Sequence, residues 1–261
     1  MNWLEGKRLV VMGGTTGIGL SAAQAFVTEG ARVVVVGRDE ENSIKAEKLL
    51  GQQGVSMAGD AVSEGTAIKA IALCEEKFGG FDGLYHVAGG SGRKYGDGPL
   101  HAIALEGWNK TLELNLTSLM LSNQAAIKAF QKNKTAGTIL NMASVLGYSP
   151  SPKHFVTHAY ATSKSAIIGF TQSIASYYAG ENIRINAIAP ALVETPMAQR
   201  AANDEVIQSF IKTKQPMDGG RIGVPKDMDG AAIYFMSDYS KFTTGQLLSV
   251  DGGWHLSEGQ Y

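Results

Sequence analysis

Tyr160 and Lys164 stand four residues apart in Tyr160-Ala161-Thr162-Ser163-Lys164. On a helix that spacing puts the phenol and the ammonium on one face. A free tyrosine titrates at about 10 and is a poor proton donor or acceptor at neutral pH. Neighbouring positive charge favours the phenolate, so Lys164, together with a cationic ring bound beside it, is expected to lower that value and fit Tyr160 for general acid–base work. Ser144, in Asn141-Met142-Ala143-Ser144, offers a hydroxyl that would hold a substrate oxygen against Tyr160. Asn115, in Glu113-Leu114-Asn115-Leu116, falls inside a helical pattern, where a buried asparagine must satisfy something. Its expected role is to hold a water linking Lys164 to solvent.

A second constellation suits an anion. A short β-branched run leads into Gly13-Gly14-Thr15-Thr16-Gly17-Ile18-Gly19, and a helical pattern follows. Glycines let the backbone approach a pyrophosphate, and the helix start offers free N–H groups and a positive dipole end. Gly13, Thr15, Thr16, Gly17, Ile18 and Gly19 are therefore expected to hold a dinucleotide. The next strand ends in Val36-Gly37-Arg38-Asp39, where an NAD site would carry an acid for the ribose. Gly37 leaves space there, and Arg38 can meet a 2′-phosphate with a planar fork of donors. The cofactor expected is NADP(H). Asp60, followed by Ala61, is placed to accept from an adenine amino group, or to begin the turn that Ser63 caps.

These residues need a scaffold, and the chain alternates strand and helix patterns. Strands are predicted at 8–12, 32–36, 55–58, 83–87, 138–142, 183–188 and 247–250. Helices are predicted at about 17–29, 40–53, 64–78, 103–131, 158–180 and 226–237. Such alternation implies an α/β fold, a doubly wound parallel sheet with helices on both faces. No linker, repeat or low-complexity segment divides residues 1–261, so one dinucleotide-binding domain is expected. Two irregular segments, 90–99 and 190–225, follow strands and are expected to rim a substrate pocket; the second carries a short helix near 204–214.

Composition excludes several classes. With 23 basic and 24 acidic side chains the net charge is -1, so no basic field gathers nucleic acid or a membrane surface. The longest uncharged mid-chain stretch, 114–127, is too short and polar to span a bilayer. The single cysteine, Cys74, forms no intrachain disulfide and no cysteine-based zinc site, and no metal is expected. A cytoplasmic protein is the expectation.

Taken in order, Gly13-x3-Gly17-Ile18-Gly19, Asp60, Ala88-Gly89, Asn115, Ser144, Tyr160-x3-Lys164 and Asp251-Gly252-Gly253 resemble the short-chain dehydrogenase/reductase family, over about residues 5–255. Within it the chain is similar to 3-oxoacyl-ACP reductases and glucose dehydrogenases. The resemblance implies a Rossmann-type sheet of seven strands in order 3-2-1-4-5-6-7 and an Asn115-Ser144-Tyr160-Lys164 tetrad. It also implies cofactor contacts from Ala88, Gly89, Tyr160, Lys164, Val193 and Thr195, and a homotetramer or homodimer built on the helices at 103–131 and 158–180. The function so implied is NADP(H)-dependent hydride transfer to a small carbonyl compound, or from a secondary alcohol. An NADP(H)-binding sensor or scaffold without turnover is the alternative, although it would be expected to lose Tyr160 or Lys164.

The chain departs from the family pattern at several points. Met12 replaces the threonine before the first glycine, and His86-Val87 replaces two asparagines before Ala88. Pro190-Ala191 replaces Pro-Gly. Ser144 and Tyr160 lie further apart than the family commonly shows, and the longer loop at 148–158 is expected to shape the pocket. Lys153, Arg93, Lys94 or Arg200 would favour an acidic or acyl-carrier-bound substrate.

Overall fold

The computed structural model describes residues 2–259; Met1, Gln260 and Tyr261, at the ends of the expected domain, lie outside the described residues. The first strand, β1 (Arg8–Met12), is apolar after its first residue because both of its faces are covered. Leu9 and Val11 join one core with Val33, Val35, Phe26 and Phe235. Val10 and Met12 point the other way, into a core with Val34, Val36, Cys74, Leu84 and Phe130. Period-2 alternation thus builds two cores from one continuous hydrophobic run.

Seven parallel strands follow the order β3-β2-β1-β4-β5-β6-β7. The others are β2 (Arg32–Gly37), β3 (Gly54–Ala58), β4 (Gly83–His86), β5 (Gly137–Met142), β6 (Ile183–Pro190) and β7 (Leu247–Val250). Register runs from Arg8 opposite Arg32 to Met12 opposite Val36, and from Leu9 opposite Gly83 to Met12 opposite His86. Chain order reverses between β1 and β4, so a crevice opens beyond their carboxyl ends.

The helices are α1 (Gly17–Thr28), α2 (Glu40–Leu50), α3 (Glu64–Phe78), α4 (Leu105–Leu112), α5 (Ser118–Asn133), α6 (His158–Tyr178), α7 (Gln199–Ala202), α8 (Glu205–Lys214) and α9 (Asp229–Met236). α1 packs against α9 and α3 against α5. Among the described residues no helix is long and apolar enough to cross a membrane.

The single helix predicted over 103–131 is in fact α4, a π-turn at Glu113–Thr117, and α5. Asn115 Nδ2 donates to the Thr111 carbonyl at 2.9 Å, and Ser118 Oγ donates to the Leu114 carbonyl at 2.7 Å. Side chains bonding the preceding carbonyls accompany the widened turn, which periodicity does not register. The helix predicted from 226 opens with a 3-10 turn, Pro225–Met228. Those predicted to end at 53 and 180 close in 3-10 turns, Gly51–Gln53 and Ala179–Glu181.

The 190–225 segment leaves β6 and returns through α7 and α8 to a short parallel bridge between Val193 and Gly223. Gln215, 3 % exposed, seals its entrance: Oε1 accepts from Leu192 N at 2.9 Å and Nε2 donates to Leu192 O at 3.3 Å.

Candidate active site

A cleft of about 880 Å³ opens where chain order reverses, lined from Gly13 at one end to Trp254 at the other. All the expected site residues line it except Gly19: Gly13, Thr15, Thr16, Gly17, Ile18, Arg38, Asp60, Ala61, Ala88, Gly89, Asn115, Ser144, Tyr160, Lys164, Val193 and Thr195. Gly19 acts from beneath, since a Cβ there would fall 2.1 Å from the Gly13 carbonyl oxygen.

The glycine turn is shaped by close approach. Gly13 has φ +82°, and a Cβ on it would meet Ala88 N at 2.6 Å. Gly17, φ +53°, faces Thr195, whose Cγ2 would lie 3.3 Å from a Cβ. Thr16 is the N-cap of α1, but no side chain caps that helix and its first turn holds no acid. The leading N–H groups of Gly17 and Ile18, at the cleft, have no acceptor among the described residues, the donor set an anionic diphosphate requires. The residues present fit a dinucleotide.

At the end of β2, Arg38 is exposed on the cleft wall and makes no hydrogen bond or ion pair among the described residues. Asp39 is committed elsewhere, capping α2 by accepting from Asn42 N at 2.8 Å. Gly37 is a correction to the sequence reading. A Cβ there would sit 2.0 Å from Thr15 Oγ1, so the glycine makes room for Thr15 and not only for a phosphate. Asp60 does begin a turn, accepting from Val62 N at 3.3 Å through its side chain and from Ser63 N at 3.1 Å through its carbonyl. Ser63 occupies the N-cap of α3 but makes no side-chain capping bond.

Tyr160 lies in the first turn of α6, with Lys164 one turn on and its Nζ 5.5 Å from the Tyr160 ring centroid. Lys164 is 3 % exposed and donates to the Met142 carbonyl at 2.8 Å, at the end of β5. Burial pushes its ammonium down to about 7. Burial likewise pushes the Tyr160 phenol up to about 12, against a hydrogen bond with Ser144 that pulls it down. Lys164 alone therefore does not lower Tyr160; the expected lowering is the joint effect of Lys164 and a positive nicotinamide ring. Loss of solvation outweighs a neighbour that is itself reluctant to carry charge. The chain holds Tyr160 as a neutral phenol, the form that donates a proton.

Asn115, fully buried, does not leave its amide free for a water. Nδ2 donates to the carbonyls of Gly90 at 2.8 Å and Thr111 at 2.9 Å, and Oδ1 accepts from Gly90 N at 3.1 Å. It pins the loop after β4 beside Lys164; a Cβ on Gly89 would lie 2.6 Å from Asn115 Oδ1 and 3.8 Å from Lys164 Nζ. His86 replaces one of the ties lost before Ala88. Its Nε2 lies 3.1 Å from the Ala88 carbonyl, while Nδ1 has no partner among the described residues. Burial, and then the Lys164 charge, hold the imidazole down to about 3 and so neutral.

Three contributors escaped the sequence reading. Asp97, 5 % exposed, accepts from Ala159 N at 3.0 Å and Tyr160 N at 2.9 Å, fixing the start of α6 from a distant loop. Trp254 lines the cleft, donates to the Ser149 carbonyl at 3.1 Å and meets Phe155 and Phe210 edge-on. Gln215 latches the 190–225 segment. Only an unexplained acid in a glycine-rich loop and an aromatic after Asp251-Gly252-Gly253 hinted at the first two. Of the longer loop at 148–158, Phe155 and Thr157 reach the cleft, whereas Tyr148 turns away to Ser249, 2.6 Å from its hydroxyl.

Comparison with known proteins bears on the family and the fold. Residues 13–255 match the family model described as enoyl-(acyl carrier protein) reductase. The chain is 32% identical over 254 residues to a 2,5-dichloro-2,5-cyclohexadiene-1,4-diol dehydrogenase of Sphingobium indicum, covering 97% of this chain and 98% of that one. It is 34% identical over 255 residues to an NADP-dependent (R)-specific alcohol dehydrogenase of Lentilactobacillus kefiri, covering 96% and 97%. Among solved structures it resembles a short-chain type dehydrogenase/reductase from Mycobacterium ulcerans, with TM-score 0.88, 26% identity and coverage of 98% and 92%. It also resembles a 3-ketoacyl-(acyl-carrier-protein) reductase from Brucella melitensis complexed with NADH, with TM-score 0.84, 26% identity and coverage of 97% and 99%.

Proposed function

Because the chain belongs to the short-chain dehydrogenase/reductase family, we propose that it is an NADP(H)-dependent oxidoreductase interconverting a carbonyl and a secondary alcohol, with Tyr160 as the general acid and base. The observation that carries this reading is the convergence of Ser144, Tyr160 and Lys164 on the cleft that the glycine turn opens. A nicotinamide cofactor, when bound, supplies or accepts the hydride.

The chain's own residues do the rest. Ser144, which lines the cleft with Tyr160, donates to the substrate oxygen and holds it beside the phenol. In reduction Tyr160 gives its proton to that oxygen, and in oxidation it takes one back. Lys164, held by the Met142 carbonyl, carries a proton that is easily lost and replenishes the phenol. Asn115 keeps the loop after β4 in place against Lys164. Gly13, Thr15, Thr16, Gly17 and Ile18 hold the diphosphate of the dinucleotide, with Asp60, Ala61, Ala88, Gly89, Val193 and Thr195 along its length.

Arg38 is the basis for NADP(H), since it is a cation at the end of β2 without a partner among the described residues and Asp39 is spent on α2. The NADP-dependent relative supports this preference, and the NADH complex of another makes it a matter for test. We also read the chain as one cytoplasmic domain that assembles as a homotetramer or homodimer. Exposed Phe242, Leu248 and Leu256, near and on the edge strand β7, support the assembly.

Nicotinamide absorbance, followed over a panel of ketones, aldehydes and secondary alcohols with NADPH/NADP⁺ and NADH/NAD⁺, tests the proposal. Turnover favouring NADPH, with the preference abolished in Arg38→Ala, is the expected result. Equal losses with both cofactors in Arg38→Ala would sink the phosphate assignment, and no turnover on any substrate despite NADPH binding would favour a sensor.

A further inference from the structure

The substrate half of the cleft carries an imbalance of charge. Its wall includes Arg93, Lys94 and Arg200 besides Lys164, and no aspartate or glutamate. The acids that line the cleft, Asp39 and Asp60, both lie at the opposite end beside the strands β2 and β3. Of the four cations singled out from the sequence, Lys153 is the one that does not reach the wall.

Exposed arginines are ordinarily solvated or paired on the surface. These are neither isolated from one another nor neutralised. Among the described residues Arg93 and Arg200 make no ion pair or side-chain hydrogen bond, and Lys94 meets only the face of Tyr95, at 4.8 Å. Arg93 and Arg200 are close enough to repel. Partial burial, and then the Arg200 charge, hold the Arg93 guanidinium below its usual range. Asp97 opposes that shift weakly, and its carboxylate is already committed to Ala159 N and Tyr160 N.

Nor is the arrangement loose at Arg93. It begins a 3-10 turn set between Gly92 at φ +73° and Gly96 at φ +90°. A Cβ on Gly92 would meet Thr111 Oγ1 at 2.2 Å, so the turn is pressed against α4. Arg200 stands on α7, in the segment that leaves β6 and closes at the Val193–Gly223 bridge. Two like charges on the wall of a shared space, offset only weakly by Asp97, are relieved when an anion enters. Planar guanidinium forks suit carboxylate, phosphate and sulfonate oxygens alike.

We propose that the substrate is a small oxo or hydroxy compound bearing its own anionic group, which Arg93 and Arg200, with Lys94, hold while Ser144 and Tyr160 engage the reacting oxygen. This rests on the oxidoreductase reading above for the reacting end, and on the cleft's own charge for the anionic end.

The test pairs each anionic probe with its neutral counterpart: 4-oxopentanoate and 5-oxohexanoate with their methyl esters, and dihydroxyacetone phosphate with dihydroxyacetone. Wild-type protein is expected to favour at least one anion over its neutral partner in kcat/KM. In Arg93→Ala/Arg200→Ala that advantage falls by about 10- to 100-fold, and Arg200→Glu reverses it. The loss falls on KM for the anion, while turnover of the neutral partner and NADPH affinity, read by cofactor fluorescence, stay within about twofold of wild type. Equal loss for anion and neutral partner, absence of charge discrimination in wild type, or a parallel fall in NADPH affinity overturns the proposal; the last would assign the cations to the cofactor.

Should wild type reduce none of the probes, calorimetric titration of 5-oxohexanoate and of dihydroxyacetone phosphate into the NADP⁺ complex decides. Binding lost in the double variant upholds the anion site and leaves the hydride-transfer reading to the broader carbonyl and alcohol panel, whereas no binding to wild type overturns the anion site.

Discussion

Replacing Asp97 tests how the catalytic helix is held, and the size of the effect follows from two bonds. Its carboxylate is 5 % exposed and accepts from the N–H groups of Ala159 and Tyr160, at 3.0 and 2.9 Å. Both are leading N–H groups of α6, which have no partner within the helix. Losing a charged acceptor costs about 1.5–3 kcal/mol per bond, and the favourable interaction with the helix dipole adds about 0.3–1 kcal/mol. Both bonds share one carboxylate and water will partly replace it, so the sum is about 2–4 kcal/mol for Asp97→Ala. For a chain of this size 1 kcal/mol moves Tm by about 2–4 °C, which makes the expected fall roughly 5–15 °C. Asp97→Asn keeps one acceptor oxygen but turns an amide donor towards the other N–H, so it should lie between wild type and the alanine variant. Because Tyr160 N is one of the two donors, kcat should fall in both variants, alanine more, while NADPH affinity is kept. Thermal melts followed by circular dichroism, with kcat and cofactor titration on the same samples, read all three. A Tm within about 1 °C of wild type, or a Tm loss with kcat unchanged, would refute the claim that Asp97 positions the phenol.

Two further outcomes are expected. Lys164 has its folded-state value lowered to about 7, so between about pH 7 and its unfolded value the unfolded chain binds more protons, and stability contributed by this site rises with pH. Cofactor-free wild type should therefore gain stability relative to Lys164→Met from pH 7 to pH 10. The Tyr160 phenol, raised to about 12, lowers stability only above about pH 10, in both proteins, and cancels in the difference; chemical denaturation across pH checks the slope. Gly19→Ala puts a Cβ 2.1 Å from the Gly13 carbonyl oxygen, so it should cost about 1–3 kcal/mol and weaken NADPH binding severely, whereas Gly169→Ala, where a Cβ meets nothing within 4 Å, should leave binding unchanged.

The sequence made the sheet legible because its signals are local. A run such as Val33–Val36, inside the strand Arg32–Gly37, is apolar and buried throughout, and only a strand buried on both faces needs that pattern. The glycine turn and the Tyr160–Lys164 pair were equally readable, since each depends on short spacing. What escaped depends on partners far along the chain or on competition between effects. Asp97 is separated from Ala159 by 62 positions, and nothing around it names its partner. The π-turn at Glu113–Thr117 rests on Asn115 and Ser118 bonding carbonyls one turn back, which looks the same as an ordinary helix in periodicity. That Lys164 alone does not lower Tyr160 is not legible either, because the sequence displays Lys164 as a charge but not the burial that suppresses it. The second demand on Gly37, room for the Thr15 side chain, is likewise invisible until the two segments are brought together.

The most direct measurement of the central claim is the rate of NADPH oxidation by Tyr160→Phe against wild type, on the best carbonyl of the panel and with NADPH affinity measured in parallel. Removing one hydroxyl leaves the ring to fill its place, so fold and cofactor binding should persist. The account predicts a loss in kcat of about 10²- to 10⁴-fold with NADPH affinity unchanged. Turnover by the phenylalanine variant within about tenfold of wild type would contradict it, because the proton would then be coming from another group.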